Sequence, residues 1–180
     1  MNGGLALARV GELVGADWAE PYDAIDSDPR AVGSVAFLPY FAAERLPRRV
    51  RSGSAGWHGL GLGVGRAALL RSALESVAFL TRRAVESLPG SAVAELRLVG
   101  GGTRDRRFQQ LLADVLGRPV RRCRTENVTA TGAARLGWVA RGHDLAGAPM
   151  ECEDSLVPSA TFDDNPRFRR FEELTEALVS

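Results

Sequence analysis

Lysine is missing from this chain: all 23 basic residues among its 180 are arginines. A Walker A loop places a lysine on the phosphates, and a protein kinase pairs one with its nucleotide, so both motifs are excluded. Schiff-base chemistry on a lysine amine goes with them. Cysteine and histidine are scarce, with two of each. Cys123 and Cys152 have no CxxC spacing, so the sequence implies neither a metal site nor a disulfide, and the pair suits a reducing cytoplasm. His58 and His143 lie far apart with no partner pattern, which makes them packing or surface residues. No apolar run approaches the length of a membrane span, and Met1-Asn2-Gly3-Gly4 opens no signal-peptide core. Charge of either sign is not in excess: the net charge of +1 argues against a nucleic-acid partner. Two arginine clusters, Arg104, Arg106, Arg107 and Arg118, Arg121, Arg122, Arg124, are local exceptions that suit a solvated face before a phosphate or an acidic partner.

What is present is an ordinary globular composition, 45% hydrophobic and 25% charged, with enough length for a proper core. Periodicity places a helix over 5–14 and a connecting loop over 16–33, whose Asp17, Asp23, Asp26 and Asp28 read as turn residues or caps. Val35 to Leu38 reads as a strand and Trp57 to Val64 as a strand or hairpin. Arg66 to Leu88 is the clearest helix, with Leu70, Ala73, Leu74, Val77 and Leu80 at helical spacing. A strand at Leu96–Val99, a helix over 105–116 and a strand from Pro119 follow. Helices over 129–141 and about 167–178 complete the chain, with a linker at 142–166. Strands alternating with helices from residue 90 onward define an α/β layered domain spanning 1–180.

Val99 leads into Gly100-Gly101-Gly102-Thr103-Arg104-Asp105 and then the helix over 105–116. Strand, glycine turn and helix in that order bring backbone N–H groups up to a nucleotide, because glycine lets the main chain approach closely and a helix start favours an anion. The segment therefore reads as a binder of the adenosine part of ATP. The bland reading, a tight turn with close helix–strand packing, stands beside it. Glu75, inside the long helix, is expected to face a polar neighbour in the fold. Glu44 and Arg45 read as a structural pair, and Trp57 and Trp138 as core or interface aromatics.

Several ordered motifs, Phe37-Leu38-Pro39-Tyr40, Glu44-Arg45 with Pro47, Gly59-Leu60, Leu74-Glu75-Ser76-Val77-Ala78-Phe79, Leu98 to Gly102, Gln110 to Val120 and Gly132-Ala133-Ala134, together resemble the C-terminal domain of the FGGY carbohydrate kinases, within them most similar to xylulokinase. The chain departs from the family pattern at Ala43, Leu46 and Ala68. The resemblance implies an actin-like ATPase, ribonuclease-H-like α/β fold, here the C-terminal lobe of a sugar kinase. It further implies ATP, with Mg2+ held mainly through the phosphates and the other domain. Gly100, Gly101 and Gly102, with Thr103 in the same turn, would pass beneath adenosine and the α-phosphate. Asp105 would sit near the adenine, and Gly132 and Ala133 would let their helix pack closely under the nucleotide.

The family's catalytic aspartate and its phosphate loops belong to regions not matched here, so no catalytic residue is assigned. The resemblance implies that the chain alone is inactive, and that the sugar is met only in a full-length enzyme carrying the N-terminal domain. A homo-oligomer, or a stand-alone module that binds nucleotide or a partner without catalysis, is the alternative. No membrane association is expected, and the location expected is the cytoplasm.

Overall fold

The computed structural model describes residues 3–27, 33, 35–44, 49–51, 53–89, 94–124, 127–144, 150–159 and 165–178. Arg45, Pro47 and Asp28 lie outside the described residues. In chain order the elements are α1 (Gly4–Val14), α2 (Glu20–Asp23) running into a 3-10 turn (Ala24–Asp26), β1 (Ala36–Leu38), β2 (Gly56–His58), α3 (Arg66–Glu86), β3 (Leu96–Leu98), a second 3-10 turn (Gly101–Thr103), α4 (Arg106–Leu116), β4 (Val120–Arg122), α5 (Val128–Ala140) and α6 (Pro166–Leu178).

Helix α3 is the spine. It packs against α1, α2, β1, α4 and α6. Its Leu70, Ala73, Leu74, Ala78 and Phe79 are buried in one cluster with Leu7 and Val10 of α1, Phe37 and Leu38 of β1, Leu112 and Val115 of α4, and Phe168 and Phe171 of α6. Complete burial of a side chain such as Leu74 or Phe79 stabilises the fold by about 1.5–3 kcal/mol. Phe79 meets Phe168 and Phe171 at ring distances of 5.2 and 5.4 Å, both in tilted geometry, which favours the ring quadrupoles.

A buried carboxylate is locked into the same interface. Glu75 Oε1 accepts from Arg71 Nε at 3.1 Å and Arg167 Nη2 at 2.9 Å, and Glu75 Oε2 accepts from Arg167 Nε at 2.7 Å. Arg71 also donates to the carbonyls of Ile25 and Ser27. The polar neighbour expected for Glu75 is thus a pair of arginines joining α3, α6 and the segment after α2. Asn165 caps α6 by accepting from the N–H groups of Arg167 and Phe168.

Strands β1 and β2 pair antiparallel, with Phe37 opposite Trp57. The Trp57 ring sits 4.7 Å from that of Phe37 and its Nε1 donates to the Leu69 carbonyl, so Trp57 is the packing residue expected. Strands β3 and β4 pair parallel, Leu96 with Val120 through Leu98 with Arg122, with α4 as the crossover that a parallel pair requires. Gly117 closes α4 at φ 61°, a left-handed helix end that favours glycine. The far edge of β4 receives the 151–157 segment through antiparallel bridges at Val120–Leu156 and Cys123–Cys152.

Three expectations are corrected. Part of the 16–33 loop is helical, because Asp17 accepts from the N–H groups of Ala19 and Glu20 just before α2. The strand expected over Trp57 to Val64 is confined to Gly56–His58, where β1 supplies a partner. Cys123 and Cys152 do form a disulfide, across 29 residues, because pairing of the 151–157 segment with β4 sets them directly opposite one another. No helix among the described residues is long and apolar enough to cross a membrane.

Candidate functional site

Parallel β3 and β4 end at the same edge, and a crevice outside the carboxyl ends of parallel strands is where α/β folds accept ligands. Here it is a cavity of about 760 Å³ lined by Gly100 and Gly101 after β3, Arg104, Arg122 and Arg124 at and beyond the end of β4, and Asn127, Val128 and Thr129 at the start of α5. Gly100 has φ 97° and ψ 167°, a region open essentially to glycine alone. A Cβ on Gly100, Gly101 or Gly102 would meet no atom within 4 Å, so the backbone of the turn faces open space that a ligand can occupy. Asn127 has φ 48°, the one non-glycine residue in the left-handed region among those described. It turns the chain so that the first N–H groups of α5 border the cavity.

The turn is braced from behind. Thr103 Oγ1 donates to the Gly100 carbonyl at 2.9 Å, Gln109 Nε2 to the Thr103 carbonyl at 2.9 Å, and Tyr22 Oη to the Gly102 carbonyl at 3.3 Å. Tyr22 also meets the Phe108 ring edge-on at 6.0 Å. Burial, and then the charge of Asp105, push the Tyr22 phenol above its ordinary pKa. Asp105 is the N-cap of α4, accepting from the N–H groups of Arg107 and Phe108. Its two oxygens also accept from Arg107 Nε at 3.1 Å and Nη2 at 2.7 Å. Arg107 reaches on to Asp26 at 2.9 Å and Asp23 at 3.0 Å. The Arg107 guanidinium, above all, holds the Asp105 carboxyl below the usual aspartate range, against the opposing effect of burial. Three carboxylates in turn raise the pKa of Arg107, with Asp105 the first cause.

The site residues expected from sequence therefore divide. Gly100 and Gly101 line the cavity, while Gly102 and Thr103 complete the turn without lining it. Asp105 is engaged by Arg107 and the start of α4, an arrangement that positions the turn and leaves the adenine contact unsupported by the geometry. Asp23 and Asp26, read as caps or turn residues, instead pair with Arg107. Gly132 and Ala133 are exposed on α5. A Cβ on Gly132 would meet nothing within 4 Å, so the close packing expected there is not made among the described residues. Trp138, expected in a core or interface, is 55% exposed and meets His143 edge-on.

What the sequence reading missed is the arginine wall. Arg122 Nη1 and Arg124 Nε both donate to Oε1 of Glu153, at 2.7 and 3.1 Å. Those contacts, Arg124 first, hold the Glu153 carboxyl below its ordinary pKa. The signal was the Arg121-Arg122-Cys123-Arg124 run itself, which ends a strand parallel to the one feeding the glycine turn. Among the described lining residues the cavity consequently has the chemistry of an anion acceptor: Arg104, Arg122 and Arg124, the latter two shared with Glu153, with turn backbone and a helix start.

The molecule is thus an α/β lobe with an arginine-lined cavity at the ends of two parallel strands, a place where α/β folds receive ligands. The sequence profile of the FGGY family of carbohydrate kinases, C-terminal domain, matches residues 8–141, and the chain belongs to that family. It is 36% identical over 143 residues to a glycerol kinase of Nitratidesulfovibrio vulgaris (strain DP4), covering 78% of this chain and 27% of that protein. The xylulose kinase of Rhodospirillum rubrum superposes with a TM-score of 0.78 at 28% identity, over 97% of this chain and 38% of that one. A Brucella ovis enzyme described as a xyloylose kinase gives 0.77 at 29% identity, over 96% and 38%. The fold is thus the actin-like ATPase lobe of the FGGY sugar kinases, and the chain spans about a quarter to two-fifths of the length of these relatives.

Proposed function

We propose that this chain is the ATP-binding C-terminal lobe of a carbohydrate kinase, whose whole form transfers the γ-phosphoryl group of Mg-ATP to a hydroxyl of xylulose or a related sugar. The observation that carries the reading is the cavity of Gly100, Gly101, Arg104, Arg122 and Arg124 at the strand ends of a chain from this family. A Plasmodium falciparum glycerol kinase solved with ADP, similar over 89% of this chain at 25% identity with a TM-score of 0.66, supports a nucleotide as the ligand.

The residues present suit part of that task. Backbone at Gly100 and Gly101 admits the flat body of a nucleoside, and the arginines neutralise phosphate charge. Among the described residues no group of three or more His, Cys, Asp or Glu side chains is placed to hold a metal ion. Mg2+ would arrive with the phosphates and take further ligands from the rest of the kinase. A general base for the sugar hydroxyl, worth about two to four orders of magnitude in rate, would come from the N-terminal domain, as would most sugar contacts. We place the kinase in the cytoplasm, where ATP and free sugars meet.

Calorimetric titration of Mg-ATP into the folded chain tests the reading. Saturable one-to-one binding is expected, weakened at least tenfold in R122A/R124A, with no sugar phosphorylated by the chain alone. A folded sample that binds neither ATP nor ADP at millimolar concentration would overturn it.

A further inference from the structure

The disulfide and the arginine wall share the same two short segments. Cys123 lies between Arg122 and Arg124, and Cys152 lies immediately before Glu153, the carboxylate that holds both arginines. The Arg124 N–H donates to the Glu151 carbonyl and the Glu153 N–H to the Arg122 carbonyl, each at 2.8 Å. These two bonds flank the cysteines, whose Cα atoms are 3.9 Å apart, so the sulfurs bridge a directly opposed pair that makes no ladder bond of its own. Cys123 is 1% exposed. Cys152 borders a second cavity of about 500 Å³ with Arg106, Arg124, Glu151, Glu153 and Asp154. One sulfur of the bridge therefore belongs to a residue open to a reagent, and the other is enclosed.

We propose that Cys123–Cys152 is a redox-sensitive tether that regulates the nucleotide cavity: oxidised, it holds Glu153 and the Arg122–Arg124 wall in the arrangement that receives phosphate; reduced, it lets that wall loosen. This rests on the nucleotide reading above. The step balances with a dithiol as reductant. A thiolate of the dithiol attacks the sulfur of Cys152, a new S–S bond forms there, the Cys123–Cys152 bond breaks, and Cys123 leaves as a thiolate and takes a proton. The second thiolate of the dithiol then displaces Cys152, which is protonated in turn. Two electrons and two protons pass from dithiol to protein, leaving two thiols here and a disulfide on the reagent. In the cytoplasm, where the kinase is placed above, glutathione and thioredoxin systems act on accessible disulfides.

Loss of the tether leaves the 155–157 end held to β4 and α4 by its backbone bonds, Ser155, Leu156 and the Gln110 bond to Val157, whereas the 151–153 end beside the cavity keeps only two backbone bonds and the ion pairs of Glu153 among the described contacts. A wall that must be ordered as ligand arrives binds more weakly than one held in place beforehand. The test is a Mg-ATP titration of the full chain before and after dithiothreitol, with free thiols counted in each state, against a C123S/C152S double variant. Hydrogen exchange at the amides of Arg124 and Glu153 is read in parallel. The expected result is no free thiol before treatment and two after, a Kd at least threefold weaker on reduction, and exchange at those amides at least tenfold faster. Reoxidation restores both values, and the double variant matches the reduced state and ignores dithiothreitol. Two free thiols in protein equilibrated with oxidised dithiothreitol would overturn the tether. An unchanged Kd on full reduction would overturn the regulation, whatever the exchange rates do. Absence of nucleotide binding in both states would remove the nucleotide reading and the regulation with it, while faster exchange on reduction would still show a tether acting on the wall.

Discussion

Glu75 is buried where water does not reach, and its carboxylate oxygens accept three hydrogen bonds there, from Arg71 and Arg167. Removing the carboxylate takes the shared anion from two buried guanidinium groups, so E75A is expected to lose about 3–5 kcal/mol of stability. A urea midpoint within about 1 kcal/mol of the parent would show that the arginines find other partners. Gly100 answers to backbone geometry instead. With φ 97° and ψ 167°, G100A should cost about 1–3 kcal/mol, whereas G102A, at a position with open space and no positive φ, should stay within about 0.5 kcal/mol. Under the proposed function G100A should weaken ATP binding, whereas G102A, outside the cavity lining, should leave it within about twofold, so stability and affinity must be measured on the same two variants. Asp105 carries a pH dependence. Arg107 holds its carboxyl below the usual range, so the stability it contributes is complete above the unfolded-state value of about 4 and disappears as pH falls through the lower folded-state value. The stability deficit of D105N should then be constant from pH 7 to 5 and shrink below about pH 4, as seen in denaturation midpoints at each pH.

At the scale of elements, legibility followed the periodicity of burial. Helices α3 and α4 present apolar stripes long enough to be read without knowing what covers them, and both fall within two residues of the expected bounds. Helix α2 has four residues, too few to show any period, and Asp17 bonds to the backbone just ahead of it as in an ordinary turn. The strands run three residues each, so only their partners define them. That explains why the cavity was half readable: the glycine turn is contiguous in sequence, but Arg122 joins it only through the register that sets Leu98 opposite Arg122, and the disulfide depends on a further pairing across 29 residues. Helix α5 shows the converse case. Its sequence is helical, yet none of its residues is buried, and Leu136, Trp138 and Val139 are 72, 55 and 53% exposed. A helix of 13 residues without packing is marginal in water. Amides of residues 132–140 are therefore expected to exchange at least tenfold faster than those in the middle of α3, and equal protection would mean that α5 is covered in solution.

For the whole molecule, the question is whether two small sheets behave as one unit. Neither pair of strands is stable by itself, since an isolated two-stranded element is marginal at best. What unites them is the cluster centred on α3, which takes in Phe37 and Leu38 from one sheet and Leu98 and Val120 from the other. The Glu75 triad and the Tyr40–Thr175 hydrogen bond of 3.2 Å tie α6 into the same body. One cluster shared by both sheets should unfold as one cooperative step. The expectation can be read with two probes of different reach. Far-UV dichroism reports all helices, while Trp57, packed on Phe37 at the joint between β1 and β2, reports one sheet once W18F/W138F has removed two tryptophans that are more than half exposed. Urea midpoints from the two probes should coincide, with a slope of about 2 kcal/mol per M for a domain of this size. An early loss of dichroism confined to the contribution of α5 is compatible with that single step, because α5 shares none of the buried cluster. Separation of the Trp57 transition from the main helical one would show instead that the β1–β2 pair comes away from α3, and that the cavity edge formed by β3 and β4 stands on a smaller unit than the whole chain.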